Sequence, residues 1–75
     1  MEDYTQERAL VDINASLDSI AICERIQAIA EADRTEDEVG DLFRNHRHLV
    51  LKMEIPVFVE NLTAEQKSAI EAIIG

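Results

Sequence analysis

The sequence is short of the residues that interrupt, staple or crowd a chain. Two Gly and one Pro among 75 residues leave little material for loops, so most of the chain must lie in regular elements joined by short connections. Strict apolar/polar alternation is nearly absent, which argues against strands. A single Cys, Cys23, excludes a disulfide within the chain. With no basic stretch leading into an apolar run at its start, the sequence gives the expectation of a reduced, cytoplasmic protein. There is no Trp, with one Tyr and two Phe, so Ala, Ile, Leu and Val supply most of the 47% hydrophobic content. No apolar run approaches the roughly 18 residues that a membrane span requires.

Positive charge is also scarce. Sixteen acids face seven Lys and Arg, for a net charge of −9. That field disfavours a nucleic-acid backbone and an anionic membrane surface as direct partners; another protein is the expected partner. Residues 1–41 hold twelve acids and three Arg, whereas residues 42–53 hold Arg44, Arg47 and Lys52 and no acid. A basic run late in a helix complements the helix dipole. It also makes Arg44, Arg47, His48 and Lys52 a candidate protein-binding patch. The acids allow a rival reading, in which carboxylates on a rigid helix imitate a phosphate backbone and block a nucleic-acid-binding protein. Glu36, Asp37 and Asp41 are the foremost members of that surface.

What remains is a chain rich in helix signals. Thr35 followed by Glu38 is a capping box, with Glu36, Asp37 and Glu38 placed where the dipole favours negative charge. Val39, Leu42, Phe43, His46, Leu49, Val50 and Met53 then keep helical spacing, and Pro56 sets the stop. Gly40 lies inside this helix at a cost of about 1 kcal/mol against Ala, which is either tolerated near a helix end or marks the close approach of another backbone. Thr63 with Gln66 is a second capping box, opening a short helix with Ile70, Ile73 and Ile74 on one face. Between these helices, residues 55–62 form a connecting segment, either extended or a single turn with Pro56 at its first position.

The first helix is expected over residues 5–32, with residues 1–4 frayed. It carries two apolar stripes: Leu10, Ile13, Leu17, Ile20, Ala21 and Ala28 on one side, and Val11, Ala15, Ile22, Ile26 and Ile29 nearly opposite. A break near Asn14 to Asp18 would give each half one stripe, but no residue there forces it. One long helix with two neighbours is the favoured reading.

The fold expected is therefore all-α and a single domain of residues 1–75. It is an antiparallel helical hairpin (about 5–32 and 36–54) with a short C-terminal helix (64–74), a small helical bundle. A core this small supplies only about 3–5 kcal/mol. A homodimer is expected to supplement it, with Val11, Ile22, Ile26 and Ile29 as the self-association stripe.

Chemistry is thin. His46 and His48 are two residues apart, so on a helix they point away from one another and cannot share an ion. His46 should be a hydrogen-bonded, partly buried residue and His48 a solvated one. Cys23 has no base beside it, and a lone Cys is usually a small buried hydrophobe. No glycine-rich phosphate loop or nucleophile elbow is present. The expectation is a protein that is not an enzyme, with no catalytic residue, metal or cofactor, acting as an adaptor or inhibitor by binding another protein.

Overall fold

In a computed structural model the described residues are 3–75, and among them every regular element is helical. Helix α1 runs Gln6–Gln27, α2 Glu36–Lys52, α3 Pro56–Glu60 and α4 Ala64–Ile74, with a 3-10 turn at Glu31–Asp33. The Cα envelope measures 43 × 27 × 17 Å. With helix axes spaced about 8–10 Å apart, the thin dimension admits two helix layers and no third.

The local start signals act as expected. Thr35 Oγ1 accepts from the Glu38 amide at 3.1 Å, and Glu38 Oε1 accepts from the Thr35 amide at 2.9 Å. Thr63 and Gln66 repeat the arrangement at 3.0 and 2.9 Å. Pro56 occupies the first turn of α3, where its missing N–H costs nothing. The connecting segment 55–62 is thus a short helix rather than an extended crossing.

Helix α1 is unbroken from Gln6 through the Asn14–Asp18 stretch, but it stops at Gln27 rather than residue 32. The sequence holds no Gly or Pro there. Termination is tertiary: Arg34 Nε donates to the carbonyls of Ile26 and Ile29, both at 3.1 Å, and Nη2 lies 3.5 Å from the Gln27 carbonyl. A guanidinium thereby satisfies carbonyls that a helix end leaves open, and does so at the negative end of the dipole. Arg34→Met should cost about 1–3 kcal/mol through these lost charge-assisted bonds. It should lower the thermal midpoint of a 75-residue chain accordingly, as read by circular dichroism, with Arg34→Lys recovering part of the loss.

The core corrects the two-stripe reading of α1. Its buried residues are Ala9, Ile13, Ser16, Ser19, Cys23 and Ile26, a strip that runs between the two apolar stripes. Small side chains there let α2 come close. Ser16 Oγ donates to the Asp12 carbonyl at 2.7 Å, so its hydroxyl is satisfied within the helix. Leu10, Val11 and Leu17 stay exposed, Val11 at 65%. Of the expected self-association stripe, Ile26 is wholly buried in its own chain's core, and Ile22 and Ile29 are half-buried. Those four residues therefore do not form one open face.

Phe58, in the short α3, is the largest fully buried side chain. Ile13, Cys23, Leu49, Ile70 and Ile73 surround it in one cluster, with Leu42, Met53, Ile55 and Leu62 among the partly buried residues packed against it. Tyr4 also packs there, which corrects the expectation of fraying at that position; Met1 and Glu2 lie outside the described residues.

Candidate functional site

Contacts between α1 and α2 fix how α2 is rotated. Asp12 meets Lys52, Ser16 meets His48, and Arg25 meets Glu38. Rising positions on α1 thus meet falling positions on α2. Glu38, Asn45 and Lys52 are half-buried along this seam. Relative to its apolar stripe, α2 is turned by roughly a quarter of a revolution at 100° per residue. Leu49 is buried and Leu42 and Met53 pack on the core, but Val39 and Phe43 point outward, 53% and 68% exposed.

The outcome is an open apolar groove of about 270 Å³ on α2, lined by Val39, Leu42, Phe43 and His46. A second hollow, about 410 Å³, lies between Leu17, Ile20 and Glu24 of α1 and the first turns of α4, and its lining is mixed. The first is the better binding surface because Phe43 projects from it. Contiguous exposed apolar area, unlike a single exposed Leu, makes this face a candidate interaction surface.

Both histidines are half-buried: His46 as expected but without the expected hydrogen bond to its ring, and His48 contrary to the expectation that it is solvated. His48 is half-buried, its Nε2 3.1 Å from Ser16 Oγ. His46 lines the groove, and among the described residues no group hydrogen-bonds to it. The four residues of the basic patch are mostly engaged within the chain. Lys52 Nζ lies 2.9 Å from Asp12 Oδ2, Arg44 is ion-paired with Asp41 on the same helix, and His48 contacts Ser16. Arg47 is exposed and, among the described residues, makes no ion pair. Of the acidic trio, Glu36 and Asp37 are exposed at the start of α2, while Asp41 is half-buried beside Arg44.

A polar cluster at the opposite end of α2 was not legible from spacing. Tyr4 donates its hydroxyl to Asp12 Oδ2, the oxygen that also holds Lys52. The Lys52 ammonium and the Arg8 guanidinium lie 5.8 and 5.6 Å from the centre of the Tyr4 ring, within cation–π range. The Lys52 hydrogen bond, then the Tyr4 hydrogen bond, hold the Asp12 carboxyl below its usual range. Burial first, and Asp12 second, push the Tyr4 phenol up to about 12. The cluster ties the N-terminal segment, α1 and the end of α2 together.

Cys23 is fully buried, and burial, then the charge of Glu24, pushes its thiol up. A thiol held protonated is a poor nucleophile. No group of three or more His, Cys, Asp or Glu is placed to hold a metal ion among the described residues. No helix among them is long and apolar enough to cross a membrane. No family model matches the chain, and no curated protein or solved structure matches it either.

Proposed function

We propose that this chain is a non-enzymatic protein-interaction module, an adaptor or inhibitor that acts by binding another protein through the outer face of α2. In this reading α1 and α2 form an antiparallel hairpin, α3 and α4 close its core, and the assembled protein is a homodimer. The observation that carries it is Phe43, 68% exposed beside an apolar groove. An aromatic side chain left in water at the rim of an apolar groove can serve as an interface anchor. The basic quartet is the weaker contact surface, because Lys52, Arg44 and His48 already have partners in their own chain.

Phe43→Asp should leave helicity and thermal stability nearly unchanged, within about 0.5 kcal/mol, as for surface sites generally. It should weaken partner binding by about 30-fold or more, the effect of losing a central aromatic anchor. A photo-crosslinker at position 43 in the native host should give protein adducts that Val39→Asp removes. The same crosslinker at Glu65 should not give them. Adducts of equal yield at both positions would count against the α2 face.

The nucleic-acid-mimic reading draws on the exposure of Glu36 and Asp37 on an acidic body. It separates cleanly: neutralising Glu36, Asp37 and Asp41 together would abolish capture of a basic target, while Phe43→Asp would not.

A further inference from the structure

We infer that, when no other protein is bound, the outer face of α2 is occupied by a second copy of this chain, docked with the two α2 helices antiparallel. This rests on the reading of that face as a protein-binding surface and names its occupant.

Gly40 is the fifth residue of α2, where Gly costs about 1 kcal/mol relative to Ala. No positive φ requires it, since none occurs at Gly or non-Gly positions among the described residues. A methyl group built there meets only the tip of the Arg44 side chain, at 3.3 Å. No contact within the chain requires the missing side chain, and its row on the helix surface gives it a use. Glu36, Gly40, Phe43 and Arg47 follow one another at steps of four, three and four. At 3.6 residues per turn they fall within an arc of roughly 60°.

That row is its own complement. Its positions are symmetric about the midpoint between Asp41 and Leu42. A two-fold axis there sets Glu36 opposite the partner's Arg47 and Phe43 opposite the partner's Gly40, each contact occurring twice. An isologous interface needs this self-complementarity. Phe43, 68% exposed in the single copy, then enters a hole that Gly40 leaves open. A two-fold axis across antiparallel helices brings like flanks together. The Val39, Leu42 and His46 groove therefore meets the same groove of the partner, and on the other flank Asp37 comes near the partner's Arg44.

Charge favours the pairing locally and opposes it globally. The row carries one acid and one base, so it docks without net repulsion, whereas each body carries −9. Exposed ion pairs contribute little and body repulsion is screened by salt. Dimerisation should therefore tighten from low to physiological salt. A basic target held by carboxylates would do the reverse. One pair of helices of this length buries area at the low end for specific interfaces, so the dissociation constant should be on the order of tens of micromolar.

Sedimentation equilibrium of the full chain, from about 10 µM to about 1 mM to bracket that affinity, is the test. The wild type should reach twice 8.5 kDa. Glu36→Arg and Arg47→Glu each create two like-charge contacts and should weaken self-association about tenfold. An equimolar mixture of those two variants restores both opposite-charge contacts and should recover near wild-type affinity as a heterodimer. Gly40→Ala should weaken the dimer while raising the thermal midpoint of the single copy, opposite signs that a merely structural glycine would not give. A wild type that sediments at 8.5 kDa throughout, or single variants that the mixture does not rescue, would overturn the pairing. If the wild type dimerises and only Phe43→Asp dissociates it, this register is wrong and the face reading survives. A dimer indifferent to Phe43→Asp overturns the pairing, whereas only crosslinks of equal yield at positions 43 and 65 overturn the face reading.

Discussion

Phe58→Ala is expected to leave this protein largely unfolded at 25 °C. Phe58 is wholly buried at the centre of the core cluster, and Phe→Ala in such a setting costs about 3–5 kcal/mol. A single core of this size supplies a net stability of about the same magnitude. The reason the loss cannot be absorbed is geometric. Phe58 stands on α3, a five-residue helix, and Val59 and Val57 beside it are only half-buried. No neighbouring side chain on that element can move into the space. Phe58 shares one core cluster with Ile13 and Cys23 of α1, Leu49 of α2, and Ile70 and Ile73 of α4, so its removal weakens a core to which all three long helices contribute. The far-ultraviolet signal at 222 nm should fall to that of a mostly unfolded chain. Phe58→Leu, which keeps most of the volume, should remain folded with a loss near 1 kcal/mol, within the range for volume-conserving swaps. A Phe58→Ala chain with native helicity and a sharp melt would show that α3 is an appendage and not the centre of the core.

Nothing in the local sequence announces that centre. Val57-Phe58-Val59 is too short to show a period, and it follows the Pro56 that ends α2. What was legible was chemistry local to the chain: the capping boxes at Thr35 and Thr63, the Pro56 stop, and the absence of a breaker between Gln6 and Gln27. These depend on residues within four positions of one another. What was hidden depends on partners beyond the reach of a single helical turn. The end of α1 is set by Arg34 reaching back to Ile26 and Ile29, and Ala28, Ala30 and Glu31 are good helix formers that tertiary contact overrides.

The candidate site was hidden for the same kind of reason. Hydrophobic periodicity places the largest apolar residues inward, but α1 buries the small side chains of Ser16, Ser19 and Cys23, and Ser16 meets His48 of α2. Turning α2 to follow that seam brings His48 inward and leaves Val39 and Phe43 outward. The stripe itself was read correctly as residues on one arc. Its direction was not, because periodicity reports an amphipathic face without saying whether that face meets the same chain or another one. Gly40 is the residue whose cost in the helix no contact in its own chain requires.

Asp12→Ala should produce the second-largest loss of stability and a spectroscopic change that identifies its cause. One carboxylate oxygen receives both the Tyr4 hydroxyl and the Lys52 ammonium. Asp12 and Lys52 are each about four-fifths shielded, with 21% and 22% of their side chains exposed, so screening weakens this pair less than a surface pair. Removing the acid leaves two donors without their acceptor, at a cost of about 2–3 kcal/mol. The pH dependence follows from the depressed Asp12 carboxyl. A group whose folded pKa lies below its unfolded value, about 3.9, contributes fully above that value and loses its contribution as pH falls through the folded pKa. The wild type should therefore lose this contribution below about pH 4, the unfolded carboxyl value. The Asp12→Ala chain should have no such component there. At the alkaline end the sign reverses. Tyr4 is raised to about 12, so its contribution holds up to its ordinary value near 10 and is lost as pH climbs through the raised one. Tyr4 is the only tyrosine, and its absorbance near 295 nm can be titrated without ambiguity. In the wild type the midpoint should lie near 12, and in Asp12→Ala it should fall part of the way toward 10, because burial, the larger cause, remains. An unchanged midpoint would mean that Tyr4 does not donate to Asp12 in solution, and that the N-terminal segment is not tied to α1 through this carboxylate.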